Sequence, residues 1–217
     1  MNFKISFIPL LFLFTACNSS QTNAEEELPV IYQENDKEIL EQTLEMFSEE
    51  SNTPTPVLMV KIGTYFTGTP YVAHTLETEP EQLVVNLRGM DCTTFAENCL
   101  AIAKTIQSEN LTFEQFTDEL KNVRYRNGKI DGYLSRLHYF SDWIFNNQQK
   151  KLVTDVSKEI AATPYNKEVD FMSTHPDSYE QLKDSAALVK KIAEQENDMN
   201  SRQLFYIPEN KIAEVED

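Results

Sequence analysis

Three observations predict an α+β fold for this chain. Apolar residues recur at helical spacing in several separate segments. Between them, Leu83-Val84-Val85-Asn86-Leu87 is a short apolar run of strand character. Near the end, residues 203–207 form a second strand-like run, stopped by Pro208. The order is helices, a hairpin, helices and one strand, a layout that looks as if it stops before its sheet is complete.

The chain has 217 residues and divides into a leader, a tether and one domain. Residues 1–17 are read as a lipoprotein-type signal. Lys4 gives a positive start, residues 5–14 are apolar but too short to span a bilayer, and Thr15-Ala16 precede Cys17. Small residues before Cys17 predict cleavage there and a lipid on that cysteine. Phe14 stands where leucine is commoner, which keeps plain secretion open. Residues 18–30 form a polar tether, and 31–217 the domain. With 19 basic and 35 acidic side chains, the net charge of −16 excludes a nucleic-acid surface.

Residues 37–50 carry Leu40, Leu44 and Phe47 on one helical stripe, broken by Pro54 and Pro56. A short apolar run, 57–62, leads into a loop, 63–71, rich in Gly, Thr and aromatics. After the strand and the turn Gly89-Met90-Asp91, a helix opens at Cys92, with Phe95, Cys99, Ile102, Ala103 and Ile106 on one stripe. Cys92 lies three residues before Phe95, so this stripe is expected to turn the thiol inward. Thr112 with Gln115 marks the next helix. Asn127-Gly128 predicts a type I′ hairpin over 123–133. Ser135 is expected to cap a helix over 136–146. Asp177 with Glu180 marks a last helix start, with Tyr179, Leu182, Ala186, Val189 and Ile192 as its stripe.

The chemistry centres on Cys92. A helix N-terminus carries about half a positive charge and unpaired N–H groups, which favour thiolate over thiol. A small inert core cysteine is the competing reading. Cys92 and Cys99 lie roughly 10.5 Å apart along a helix axis, beyond the about 7 Å that a disulfide spans, so both are expected to stay free. A thiol nucleophile needs a base, and the chain offers His74, His138 and His175. His138 lies in a cluster with Arg136 and Tyr139, rich in groups that bind carboxylates and apolar faces. His74 is placed near the same cleft, and His175, before Pro176, is read as structural. The sequence holds no phosphate-binding glycine loop and no CxxC or HExxH metal pattern, so neither metal nor cofactor is expected.

Gly68-Thr69-Pro70-Tyr71-Val72, followed by Asp91-Cys92-Thr93-Thr94-Phe95, resembles the NlpC-type papain-like cell-wall cysteine hydrolases. The segments His74-Thr75-Leu76-Glu77, Val84 to Arg88, Arg124-Tyr125-Arg126, Ser135 to Trp143 and Asp170-Phe171-Met172-Ser173 are similar to the N-acetylmuramoyl-L-alanine amidase-like branch, long a domain-of-unknown-function family. The resemblance covers residues 31–217. It implies a papain-like fold and an amidase that cuts between the lactyl group of N-acetylmuramic acid and L-alanine. Cys92 would be the nucleophile, with Tyr71, Asp91, Arg136, His138 and Tyr139 on the substrate groove. The partners it implies are muropeptides; the signal at Cys17 adds the membrane through a lipid, and the chain is expected to be a monomer in the bacterial envelope. The family's catalytic His lies on a later strand, after a segment like Tyr206-Ile207-Pro208. By this comparison the base is expected beyond residue 217 and the chain is expected to lack its last barrel strands. Two alternatives stay open: an endopeptidase for the γ-D-glutamyl–diamino acid bond, and a muropeptide-binding lipoprotein or fragment without activity.

Overall fold

The computed structural model describes residues 28–160 and 163–215. The signal, Cys17 and most of the tether lie outside the described residues. The architecture is mixed and mainly helical. Helix α1 is Glu34–Met46, α2 is Thr55–Tyr65, α3 is Cys92–Gln107, and α4 is Phe113–Arg124. Then follow α5, Phe140–Gln149, a single turn α6, Ser157–Ile160, and strand β1, Thr163–Pro164. The short α7, Phe171–Thr174, precedes α8, Ala186–Asn200, and strand β2, Phe205–Tyr206. The two strands pair antiparallel, Thr163 opposite Tyr206, so the run expected at 203–207 is a strand of two residues.

Helix α3 is the centre of the core. Leu100, Ala101, Ile102, Ala103 and Ile106 are fully buried. Leu40 and Leu44 of α1, Leu58 and Ile62 of α2, and Phe116 and Leu120 of α4 close around it. Each such buried side chain stabilises the fold by roughly 1.5–3 kcal/mol. The run 57–62 lies within α2, and the helix continues through Gly63 to Tyr65. The prolines read as a break start this helix instead: Pro54 is its N-cap and Pro56 sits in its first turn, where a missing N–H costs nothing.

The segment expected as a strand, 83–87, is extended and buried but joins no sheet. It makes one bridge, Val84 with Ile31. Two of its remaining backbone groups are held by buried charges. Asp36 accepts from the Leu87 N–H at 2.9 Å and from Arg88 Nε at 3.0 Å. Arg124 donates to the Val84 carbonyl at 2.6 Å and to Glu97 Oε2 at 2.7 Å. Buried backbone groups must find a partner, and here side chains take the place of neighbouring strands.

Three further expectations need correction. The Asn127-Gly128 turn forms, with φ of 53° and 66°, but as a 3₁₀ turn, Arg126–Gly128, without hairpin strands. The chain pairs further out, Tyr125 with Arg136, and the Leu137 N–H donates to the Arg124 carbonyl. Ser135 caps no helix. Its hydroxyl donates to the Gly132 carbonyl and accepts from the Asp131 N–H, closing a tight turn, Tyr133–Ser135. Arg136 is therefore extended, and the helix begins only at Phe140. Asp177 lies in a 3₁₀ turn, Pro176–Ser178, while Ser185 caps α8 through the Leu188 N–H. Thr112 caps α4 as expected, accepting from the Gln115 N–H.

The buried Glu97–Arg124 pair gives a stability test. Removing one partner strands the other charge in the core. Glu97→Ala is expected to lower unfolding free energy by about 3–5 kcal/mol, read from the urea midpoint. A loss under about 1 kcal/mol would show that the pair is not needed.

Candidate active site

Cys92 is the first residue of α3 and is exposed. This corrects the inward orientation expected from the stripe. Asp91 is the N-cap: its carboxylate accepts from the Thr94 N–H and from the Thr94 hydroxyl, both at 2.8 Å, while the Asp91 N–H donates back to Thr94 Oγ1 at 2.9 Å. The reciprocal box fixes the first turn on either side of the thiol. Cys99, by contrast, is buried, and burial pushes its thiol up to about 12. Both thiols are free.

The turn before Asp91 depends on Gly89. A Cβ there would lie 2.7 Å from Val72 Cγ2 and 3.5 Å from the Pro70 carbonyl oxygen. Without one, the 70–72 strand-like loop closes on Met90: Met90 N–H donates to Pro70 O at 3.1 Å and Val72 N–H to Met90 O at 3.2 Å. Tyr71 is thus anchored next to the Cys92 turn by its backbone pairing with Met90, with its side chain 72% exposed. It does not line the cleft described next.

A cleft of about 240 Å³ adjoins the start of α3. Its walls include Asp91 and Thr93, which flank Cys92, and Arg136, His138, Tyr139 and His74. The structure therefore brings together Asp91, Arg136, His138 and Tyr139 with His74, while Cys92 itself lies beside the cleft and does not line it. His138 donates from Nε2 to the Tyr133 carbonyl at 2.8 Å, since that oxygen can only accept. Burial, helped by the Arg136 charge, pushes its imidazole down to about 3. It is neutral at pH 7. Tyr139 donates to Glu196 Oε1 at 2.6 Å and accepts from the Met172 N–H at 2.9 Å. Burial and then Glu196 push its phenol above the ordinary tyrosine value. His175 lies outside the cleft, with Nδ1 2.9 Å from Thr174 Oγ1 and its ring stacked on Phe171.

Arg136 is the most constrained charge in the cleft. Its Nη2 donates to both carboxylate oxygens of Glu77, at 3.1 Å each, and its Nε lies 3.3 Å from Glu81. Burial works against the guanidinium charge, but Glu81 and Glu77 outweigh it and raise its pKa. Burial in turn raises the Glu81 carboxyl. Tyr125 adds a hydrogen bond to Glu81 at 2.9 Å. Among the described residues, no group of His, Cys, Asp and Glu side chains is disposed to hold a metal ion.

Residues 61–217 match the model of the N-acetylmuramoyl-L-alanine amidase-like family. The chain belongs to that family. Among solved structures, an N-acetylmuramoyl-L-alanine amidase from Bacteroides uniformis is 38% identical, with a TM-score of 0.67, over 72% of this chain and 66% of that one. A Bacteroides fragilis protein provisionally named a xylanase is 41% identical, with a TM-score of 0.64, over 69% and 65%. A Legionella pneumophila protein of an uncharacterised-domain family, 23% identical with a TM-score of 0.53 over 81% and 63%, shares the fold. The chain thus spans about two thirds of the length of these relatives. No curated protein matches it.

The cleft-forming segments of this family member include groups that the sequence reading did not place in the site: Glu77, Glu97, Thr75, Tyr133, Met172 and Tyr179. Glu97 had a visible signal, a lone acid within the apolar stretch of α3. Met172 lay in a segment carrying the family resemblance; Tyr179 had no such signal, because only the tertiary fold brings it to Tyr139.

Two outcomes test the site. Asp91→Ala should lower stability by about 1 kcal/mol, measured by thermal melting, with the Cys92 turn loosened. His138, neutral in the fold, opposes protonation. Above about pH 6.5 it contributes no pH dependence; between about 6.5 and 3 the unfolded chain takes up its proton and the folded chain does not, so stability falls as the pH is lowered. His138→Gln should flatten that fall between pH 6.5 and 4.5, and an unchanged slope would contradict the assignment.

Proposed function

We propose that the chain is a cysteine amidase of papain-like, NlpC-type architecture that cleaves the amide between the lactyl group of N-acetylmuramic acid and L-alanine in muropeptides. The observation that carries this reading is an exposed thiol at the capped N-terminus of α3, beside a polar cleft, in a chain of the amidase-like family. In the reaction, Cys92 Sγ attacks the lactyl carbonyl carbon. The oxyanion is held by the unpaired N–H groups of the first helical turn, that of Cys92 among them. The C–N bond breaks, the alanine amine leaves with a proton, and water hydrolyses the thioester.

An imidazole must take the thiol proton and pass it to the leaving alanine amine; the family resemblance places that base on a strand after a segment like Tyr206-Ile207-Pro208. His138 is unsuited, since its Nε2 proton is committed to Tyr133 O and its basicity is strongly depressed. His175 lies away from the cleft. Glycoside cleavage, the chemistry in the provisional name of one relative, needs two carboxyl groups facing the bond. Of the cleft acids, Asp91 is committed to Thr94 and Glu97 to Arg124, which leaves Glu77 where two are needed. That favours the amide. The same reading puts the protein in the bacterial envelope as a monomer, held by a lipid on Cys17.

The deciding experiment is digestion of defined muropeptides, read by mass. Release of the intact stem peptide from N-acetylmuramic acid is expected, and Cys92→Ala should lower the rate at least about 10³-fold, on the scale of losing a nucleophile. Equal cleavage by the variant would refute the assignment. Release of a shortened stem would point to the endopeptidase instead.

A further inference from the structure

Arg136 is held as a receptor for a carboxylate. Its backbone is pinned to Tyr125, its side chain is only 6% exposed, and the Tyr133 ring packs over the guanidinium at 5.2 Å. One of its two acids, Glu81, is buried and fixed by Tyr125. The other, Glu77, is different. Its side chain is 39% exposed, it lines the cleft, and it sits outside any helix or strand, so it can swing away without breaking one. Nearby, the buried hydroxyl of Thr75, a cleft residue, has no hydrogen-bond partner, and Arg136 Nε has only an ion pair with Glu81 at 3.3 Å, without an aligned hydrogen bond. Both can donate. Unsatisfied buried donors beside a cleft call for an acceptor that arrives from outside.

We propose that Glu77 is a built-in stand-in for a substrate carboxylate: in the free protein it occupies Arg136, and an incoming muropeptide displaces it with a carboxylate of its own stem. This rests on the muropeptide reading above. In a stem whose D-glutamate is linked through its γ-carboxyl, the α-carboxylate is free to make that contact. Planar carboxylate recognition by a fixed guanidinium is the geometry arginine provides. The latch has a thermodynamic consequence. The cleft competent to bind is only the fraction with Glu77 released, so apparent affinity is lowered by that fraction. It also sets specificity, because a stem with that carboxylate amidated carries no charge to compete with Glu77.

The test measures binding without turnover, using the full chain as Cys92→Ala in isothermal titration. The two probes are muramoyl tripeptides identical except that the α-carboxylate of their γ-linked D-glutamate is free or amidated. The acid form should bind about tenfold or more tightly than the amide, the scale of one charge-assisted pair. Adding Glu77→Ala should tighten the acid form by about three- to tenfold and leave the amide within about twofold. Glu79→Ala, the same charge change on the same loop away from Arg136, is the control and should leave both forms alone. Thermal melts confirm that each variant folds. Equal binding of acid and amide, no binding of either, or an acid-form affinity unchanged or weakened by Glu77→Ala would each overturn the proposal. Wild-type hydrolysis is scored separately, so a latch that binds without turnover remains distinguishable from failure of the amidase reading.

Discussion

The site depends on the way a single buried arginine holds an unsupported stretch of backbone. Arg124, 1% exposed, joins Glu97 on α3 to the carbonyl of Val84. Residues 83–87 are buried, extended and almost without strand partners, a condition that would leave several peptide groups unsatisfied. Arg124 settles one from one side, and Asp36 settles the Leu87 N–H from the other. A buried ion pair adds little on balance against well-packed apolar residues. Its value here lies in the third contact, because a methionine or leucine could fill the space but could not hold a carbonyl. The same segment runs into Gly89 and Asp91, so the charges that fix 83–88 also fix where α3, and with it Cys92, begins.

A second network continues from the first in sequence and in space. Tyr125, next to Arg124, pairs with Arg136 through the backbone and reaches Glu81 with its hydroxyl. Glu81 lies two residues before Leu83. The segment that leads into α3 and the segment that builds the cleft are therefore tied to the same pair of residues at the end of α4. Tyr139 extends the chain of contacts to Glu196, whose Oε1 also accepts from the N–H groups of Met172 and Ser173 at the start of α7. Tyr139 also lines a larger cavity, about 460 Å³, with Tyr165, Phe171 and Phe205. The sequence segments that carry the family resemblance fall mostly on these networks. They record the burial of charge.

This explains which features the sequence made legible. Helices α3 and α4 were readable because each has a polar cap and an apolar stripe at helical spacing, and both signals are local. The capped turn at Asp91-Cys92 was readable for the same reason. The 123–146 region was not. Asn127 and Gly128 adopt the expected positive φ values, but the strands of a hairpin need partners, and Ser135 closes a turn instead. Arg136 looks like the exposed start of an amphipathic helix; its burial comes from Glu77 and Glu81, more than fifty residues earlier. The 83–87 run was correctly read as extended and apolar. Its lack of a sheet followed from Asp36 and Arg124, whose long-range contacts no periodicity encodes.

The two thiols of α3 show the limit of stripe reasoning most clearly. Seven residues of helix turn through about 20° less than two full turns, so Cys92 and Cys99 share a face, and the pattern predicts a shared fate. They differ because burial belongs to the neighbour and not to the face. Helix α2 approaches α3 closely at Gly63, where an added Cβ would lie 3.2 Å from Phe95 and 3.9 Å from Cys99 Sγ. That approach buries Cys99 and raises its thiol far above reactivity at neutral pH. Helix α2 then ends at Tyr65, and the chain leaves to pair Tyr71 with Met90. The face thus continues beyond its cover, and the thiol at its end is exposed beside a cleft. One helix carries an inert cysteine and an accessible one, and the length of the helix packed against it separates the two.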